Sequence, residues 1–299
     1  MKTAQPGIFA LGTTDHFYVE LDLVPGVPAI DLVRALAALV GPGSTVRGVN
    51  VVVGVRPELW AALSPEHLVA EGFNGPVVGA HAYQMPATQH DAWLWIAGGA
   101  RDVVFDAGLA ALGTLSAVAF VESEVGGWLY RHDRDLTGFI DGTENPSQLE
   151  AYEVAVAGEG PGEGSSVVLV QRWHHQSSAF LQLPVEARER IIGRTLEDST
   201  ELDESVMPAN SHVSRTVLDR DGVELPIFRR NTAYGGVTDH GTVFVGFSKE
   251  QFRLAEMLRR MAGAGDGVRD ALTFYTTPLT GAYYVVPAVE DLSALLPLE

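Results

Sequence analysis

The order of strand-like and helix-like runs constrains this chain most, because the same order occurs twice. Phe17, Val19, Leu21 and Leu23 alternate within residues 16–23 and mark a half-buried strand. Helical spacing follows at Ile30, Val33, Ala37 and Val40, ended by Gly41-Pro42-Gly43. A β-rich run at 46–55, a strand at 92–98, a helix at 101–112 and a strand at 115–123 complete a β-α-β-β-α-β series. The second half repeats it with strand 166–173, helix 183–193, strands 224–231 and 241–248, helix 249–263 and a last strand at 281–287. A glycine-rich connection joins the middle two strands. The reading is α+β: two ferredoxin-like (βαββαβ) halves in a sandwich of antiparallel sheets with peripheral helices. The halves divide as residues 1–130 and 131–299, with a Gly/Glu-rich insertion at 152–165.

Composition removes whole classes of chemistry. There is no cysteine among the 299 residues, so disulfides, thiolate nucleophiles, iron–sulfur clusters and thiolate-ligated haem are excluded. The formal charge of −18 opposes binding to nucleic acid or an anionic membrane surface. Hydrophobic residues make up 46 %, enough for a packed core, yet no apolar run is long enough to span a bilayer. The first residues lack a sustained apolar stretch of the secretory kind, so a cytoplasmic address is the default expectation.

Familiar motifs are absent. No Walker A pattern, G-x-S-x-G elbow or H-E-x-x-H helix occurs. Residues 141–145 begin like a calcium loop, but Pro146 and Tyr152 occupy the positions that need Gly and Glu. His174 and His175 are adjacent, so on a strand they point to opposite faces and cannot share an ion. Structural or surface roles are expected for His16, His67, His81, His90, His132 and His240. Two features stay open on residues alone. Asp141, in "LTGFIDGTENP", is either a turn cap or a carboxylate aimed into a site. His212, in "PANSHVSRTV", is either a hydrogen-bonded loop histidine or a ligand.

The segments "RDLTGFIDGTENP", "IIGRTLEDS", "SHVSR", "FRRNTAYGG" and "LTGAYYVVP" occur in an order and spacing that resemble the dye-decolorizing peroxidases, and the B-type branch fits best. The resemblance covers nearly the whole chain. It implies haem b held mainly by the second half, with His212 as the proximal ligand of its iron. It implies that Asp141 and Arg230 form the distal pair, and that Arg194 sits at a propionate-binding position. Glu144 and Asn145 are candidates for the haem edge, with turn hydrogen bonding as the equal alternative. Phe244, rather than Phe247, is expected to wall the distal pocket, and Arg229 to be a surface or structural cation. Where the family commonly has Asn or Ser two residues after the distal arginine, Thr232 stands here; it keeps one hydroxyl for peroxide or water. Asp270 is the candidate carboxylate behind His212, although Thr273 stands where the resemblance leads one to expect an acid.

The implied function is a haem peroxidase that reduces hydrogen peroxide and oxidises dyes or other bulky aromatic reductants through a ferryl intermediate. A carboxylate within reach of both peroxide oxygens can act as base and then acid. A guanidinium, charged at every working pH, can stabilise the departing oxygen. Activity is expected to be best below neutral pH. Trp93, Trp95, Trp128 and Trp173 are possible electron-hopping stations, and nothing in the sequence selects among them. Alternatives are a haem-handling or iron-releasing protein with little turnover, and a ferredoxin-like module with no cofactor. A homo-oligomer is expected; with no long linker after the last strand, cargo loading into a nanocompartment is not.

Overall fold

The computed structural model describes residues 2–131 and 134–297, so His132 lies outside the described residues. Ten strands form one continuous sheet: β1 (Asp15–Leu23), β2 (Asn50–Val55), β3 (Ala92–Gly98), β4 (Ala119–Trp128), β5 (Ser166–His175), β6 (Phe228–Arg229), β7 (Thr232–Gly235), β8 (His240–Ser248), β9 (Thr276–Pro278) and β10 (Ala282–Val286). The strands pair in the order β6-β8-β7-β4-β1-β3-β2-β10-β5-β9, with β8 also on β5. Eight of them therefore close into a ring. Every ladder is antiparallel.

In the first half the strands lie β4-β1-β3-β2; in the second, β10-β5-β8-β7. Both are the order fourth, first, third, second. The expectation of a sandwich is corrected here, because the two sheets join edge to edge. One seam pairs Ala233 with Trp128 and Tyr234 with Gly127, and the other pairs Val285 with Val55. Edge pairing satisfies backbone groups that a sandwich would leave open. Both seams are tight. A Cβ on Gly127 would lie 2.3 Å from Thr232 Oγ1, and one on Gly54 would lie 2.8 Å from Tyr284 Cβ.

Alternation along the strands fills the ring. Trp93, Trp95, Tyr284, Phe247 and Tyr18 point inward and are almost wholly buried. Helices α1 (Ala29–Ala37) and α2 (Arg101–Leu115) cover the first half; α3 (Val185–Ile192), α4 (His212–Thr216) and α5 (Gln251–Ala262) flank the second. In α5, Leu254, Met257, Leu258 and Met261 recur at three- and four-residue spacing and are buried. Each such side chain contributes about 1.5–3 kcal/mol. Gly263, at φ +70°, ends the helix. Among the described residues no helix is long and apolar enough to cross a membrane.

Two boundaries differ from the sequence reading. The strand expected at 224–231 is only Phe228–Arg229 in the sheet, at its end and outside the ring, and the supposed glycine-rich connection contains β7. Tyr234 packs inward there, while Gly235 leaves the strand at φ +85°.

Candidate active site

The segment around Asp141 folds as a hairpin followed by a turn. Gly138 N–H donates to Asp135 O (2.8 Å), Asp135 N–H donates to Phe139 O (2.9 Å), and Arg134 bridges Ile140. Gly142 takes φ +80°, and Asn145 N–H donates back to its carbonyl at 2.9 Å. Asp141 sits between these two devices and lines a cavity with about 1080 Å³ of empty space, including its mouth.

His212 lines the same cavity from α4. Ser211 caps that helix, its Oγ accepting Ser214 N–H at 3.2 Å. His212 Nδ1 lies 2.7 Å from Asp270 Oδ2, and Asp270 is fully buried. Its other oxygen accepts Leu272 N–H at 2.8 Å. A carboxylate only accepts, so the proton sits on Nδ1 and Nε2 keeps its lone pair for a ligand. Thr273 also lines the cavity; its hydroxyl donates to Asp270 O at 2.6 Å.

The structure divides the two adjacent arginines between two chambers. Arg229 and Asn231 line the cavity with Asp141 and His212, whereas Arg230 and Thr232 line only a second chamber that also meets Asp141. Arg230 donates to Ile8 O (2.7 Å) and Thr13 Oγ1 (3.1 Å), and its guanidinium stacks 5.3 Å above Trp95. Thr232 is buried against Tyr18, its Oγ1 3.1 Å from the phenol oxygen. The register explains the exchange. Arg229 opposes Gly246 and Thr232 opposes Val243, which continues through Asn231 opposite Phe244. Residues 229, 231 and 244 therefore share the cavity face, and 230 and 232 the ring interior. Arg229, expected on the surface, is a cavity residue. The signal was present in Asn231, an amide two positions after an arginine, but alternation alone cannot say which of two adjacent arginines faces which way.

The remaining candidates divide. Arg194 is mostly buried at the cavity wall, donating to Ser199 O (2.7 Å), to Glu201 Oε2 (2.9 Å) and to Glu144 Oε1. Glu144 lines the cavity and Asn145 does not. Asn145 instead clamps the Arg229 backbone, donating to its carbonyl at 2.9 Å and accepting its N–H at 2.8 Å. Phe244 walls the cavity while Phe247 packs inside the ring. Of the tryptophans, Trp173 lines the cavity and Trp93 and Trp95 fill the ring. Trp128 lines the second, more open chamber, which shares Asp141, Arg229 and Asn231 with the first. Among the polar cavity residues that the sequence did not offer as site candidates are Gln171, Asp135 and His175. The expected divergence of the histidine pair is seen, with His174 half-buried beside Asp239 and His175 buried.

Charge in the cavity is unevenly tuned. Burial pushes the Asp141 carboxyl above the ordinary aspartate range; the attraction of Arg229 and the Asn231 amide, 3.4 Å away, opposes this, and nearby Asp135 adds to it. Burial also works against the Asp135 carboxylate. His175 together with donors from Thr242 and Thr137 outweighs it, and the group stays below the usual range. His175 is held low by burial despite Asp135. The site thus places one reluctant carboxylate beside a fixed guanidinium and an amide, and one oriented imidazole in another part of the same wall.

The "Dyp-type peroxidase, C-terminal" family model matches residues 132–291. The chain is 33 % identical to a dye-decolorizing peroxidase of Mycolicibacterium paratuberculosis, over 90 % of this chain and 78 % of that one. It is 35 % identical to one of Rhodococcus erythropolis, over 82 % and 74 %. The chain therefore belongs to the dye-decolorizing peroxidase family, a class of peroxidase enzymes. Among solved structures, a DypB variant of Rhodococcus jostii in complex with heme superposes with a TM-score of 0.89 at 30 % identity, covering 98 % of this chain and 99 % of that one. That variant replaces an arginine, and another heme-bound variant of the same protein replaces an asparagine two positions later.

Proposed function

We propose that this chain is a haem peroxidase of the B-type branch that reduces hydrogen peroxide at Asp141, Arg229 and Asn231 and oxidises bulky aromatic reductants. The carrying observation is that the His212–Asp270 pair, at 2.7 Å, and the Asp141–Arg229–Asn231 group line one cavity. The residues present fit haem. Among the described residues no cluster of three or more acidic, histidine or cysteine side chains is placed to hold a bare metal ion. A single imidazole donor instead suits a metal already held by a macrocycle. Ile192, Val213, Met257, Leu258 and Leu272 supply apolar walls, and Arg194 supplies a cation for an acidic substituent. Gln171 Nε2, buried without a partner among the described residues, also awaits an acceptor at this wall.

Bound haem would supply the redox iron that carries oxidising equivalents from peroxide to reductant. The chain's own residues would do the rest. His212 Nε2 would hold the iron, made more basic by Asp270 on Nδ1. The Asp141 carboxylate would take a proton from one peroxide oxygen and return it to the other. Arg229 would offer fixed donors to the oxygen that gains charge, and Asn231 Nδ2–H would hold the carboxylate in place. Asn145 would keep Arg229 from shifting. On this reading two ferredoxin-like halves meet near residue 130, and the second carries the cofactor.

An absorption spectrum of the protein loaded with haem, before and after peroxide, tests the assignment. A Soret band that changes with peroxide, and dye turnover lost in Asp141→Ala, are the expected results. No Soret band, or one unaltered in His212→Ala, would refute it.

A further inference from the structure

The ring interior holds a file of aromatic side chains that the peroxide chemistry does not use. Trp95 lies 6.1 Å from Trp93, and Trp93 lies 6.3 Å from Tyr284, centroid to centroid, with planes within 25° and 12° of parallel. The file begins beneath Arg230, whose guanidinium covers Trp95 and which lines the second chamber together with Asp141, Arg229 and Asn231. It ends at Tyr284, whose hydroxyl donates to Glu20 Oε1 at 2.8 Å. Tyr284 is fully buried and Glu20 nearly so.

Resting places for an oxidising equivalent along this file are not alike. A cation above Trp95 opposes positive charge on its ring. The Trp95 N–H points at His16 Nδ1 (3.0 Å), but burial and Arg230 hold His16 neutral, so it is a poor proton acceptor. Trp93 Nε1 has no partner among the described residues, so an oxidised Trp93 has nowhere to send its proton. The Tyr18 hydroxyl, beside Trp95, meets the Thr232 hydroxyl, which is no base. In this group Tyr284 is the residue bonded to a carboxylate, one that is buried and whose charge is costly until a proton arrives.

We propose that Tyr284 is a buried one-electron donor to the peroxidase centre, with Glu20 as the acceptor of its phenolic proton. The proposal rests on the peroxidase reading above, which supplies the oxidant. Tyr284 gives up one electron through Trp93 and Trp95, its O–H bond breaks, and the proton joins the Glu20 carboxylate. The products are a neutral tyrosyl radical and a neutral Glu20, and the oxidised centre has gained one electron. An external reductant then refills the hole, and Glu20 returns the proton. The pair draws oxidising equivalents away from the cavity when reductant is scarce.

The test is freeze-quench electron paramagnetic resonance of the haem-loaded enzyme mixed with peroxide and no reductant, with peroxide consumption followed in the same samples. Wild type is expected to give a tyrosyl signal. Tyr284→Phe should lose it, and so should Glu20→Gln, which keeps Tyr284 and a hydrogen-bond acceptor but takes no proton. Wild type that consumes peroxide without a tyrosyl signal overturns the proposal and leaves the peroxidase reading standing. An undiminished signal in either variant also overturns it. No peroxide consumption in wild type overturns both.

Discussion

Replacing each of the two adjacent arginines by leucine should give opposite phenotypes. Arg230→Leu removes hydrogen bonds to Ile8 O and Thr13 Oγ1 and the stack on Trp95. At about 1 kcal/mol per hydrogen bond and about 0.5–2 for the stack, the loss is about 2.5–4 kcal/mol of stability. For a chain this size that lowers Tm by about 5–8 °C. Its effect on peroxide turnover below the melting range should stay within about threefold, because another residue faces the cavity. Arg229→Leu removes a fixed donor where charge develops, which costs about 10²–10³-fold in kcat/KM for peroxide. Its Tm should change by less than that of Arg230→Leu, since Asn145 bonds only the backbone of Arg229. Stopped-flow kinetics and a thermal melt on both variants decide the matter. If Arg230→Leu loses the activity and Arg229→Leu keeps it, the strand register argued above is wrong.

Further outcomes follow from the same geometry. Asp270→Asn should reduce haem retention or activity by about 10–100-fold, because an amide cannot hold the proton on His212 Nδ1 and also replace both acceptor oxygens; an unchanged haem dissociation rate would contradict it. Asp141 acts as a base only when ionised and burial raises its pKa, so kcat/KM for peroxide should fall on acidification at a pH above the ordinary aspartate value. The same shift predicts stability in the reverse sense: the buried carboxylate costs nothing while protonated, and the penalty grows as pH rises through the raised value, so Asp141→Asn should gain stability at neutral pH relative to wild type. In Arg229→Leu, where the opposing attraction is gone, the acid limb should move to higher pH; an unmoved limb would assign it to another group. Gly142→Ala should cost about 1–2 kcal/mol, since φ is +80° there and the new Cβ would meet Asn145 Nδ2 at 3.2 Å; equal denaturation midpoints would argue against a left-handed requirement.

Local pattern carried much of what was legible in the sequence. Alternation at Phe17, Val19 and Leu21 and the helical spacing at Ile30, Val33 and Ala37 depend only on neighbours in the chain, so the repeated order of elements could be read directly. The absence of cysteine, the glycines around Asp141, and His212 with Asp270 were visible as residue types at given places. Closure of the ring was not, because the seams at Gly127 and Gly54 join strands from opposite halves. Nor was the direction of Arg229. A two-residue period assigns residues to two faces but leaves open which face meets the cavity, and that is set when Asn231 comes opposite Phe244 across the ladder. Long-range pairing likewise brought Tyr284 onto Glu20, 264 positions away. Sequence determined the elements and the chemistry available, and only the tertiary packing decided which side chains face one another.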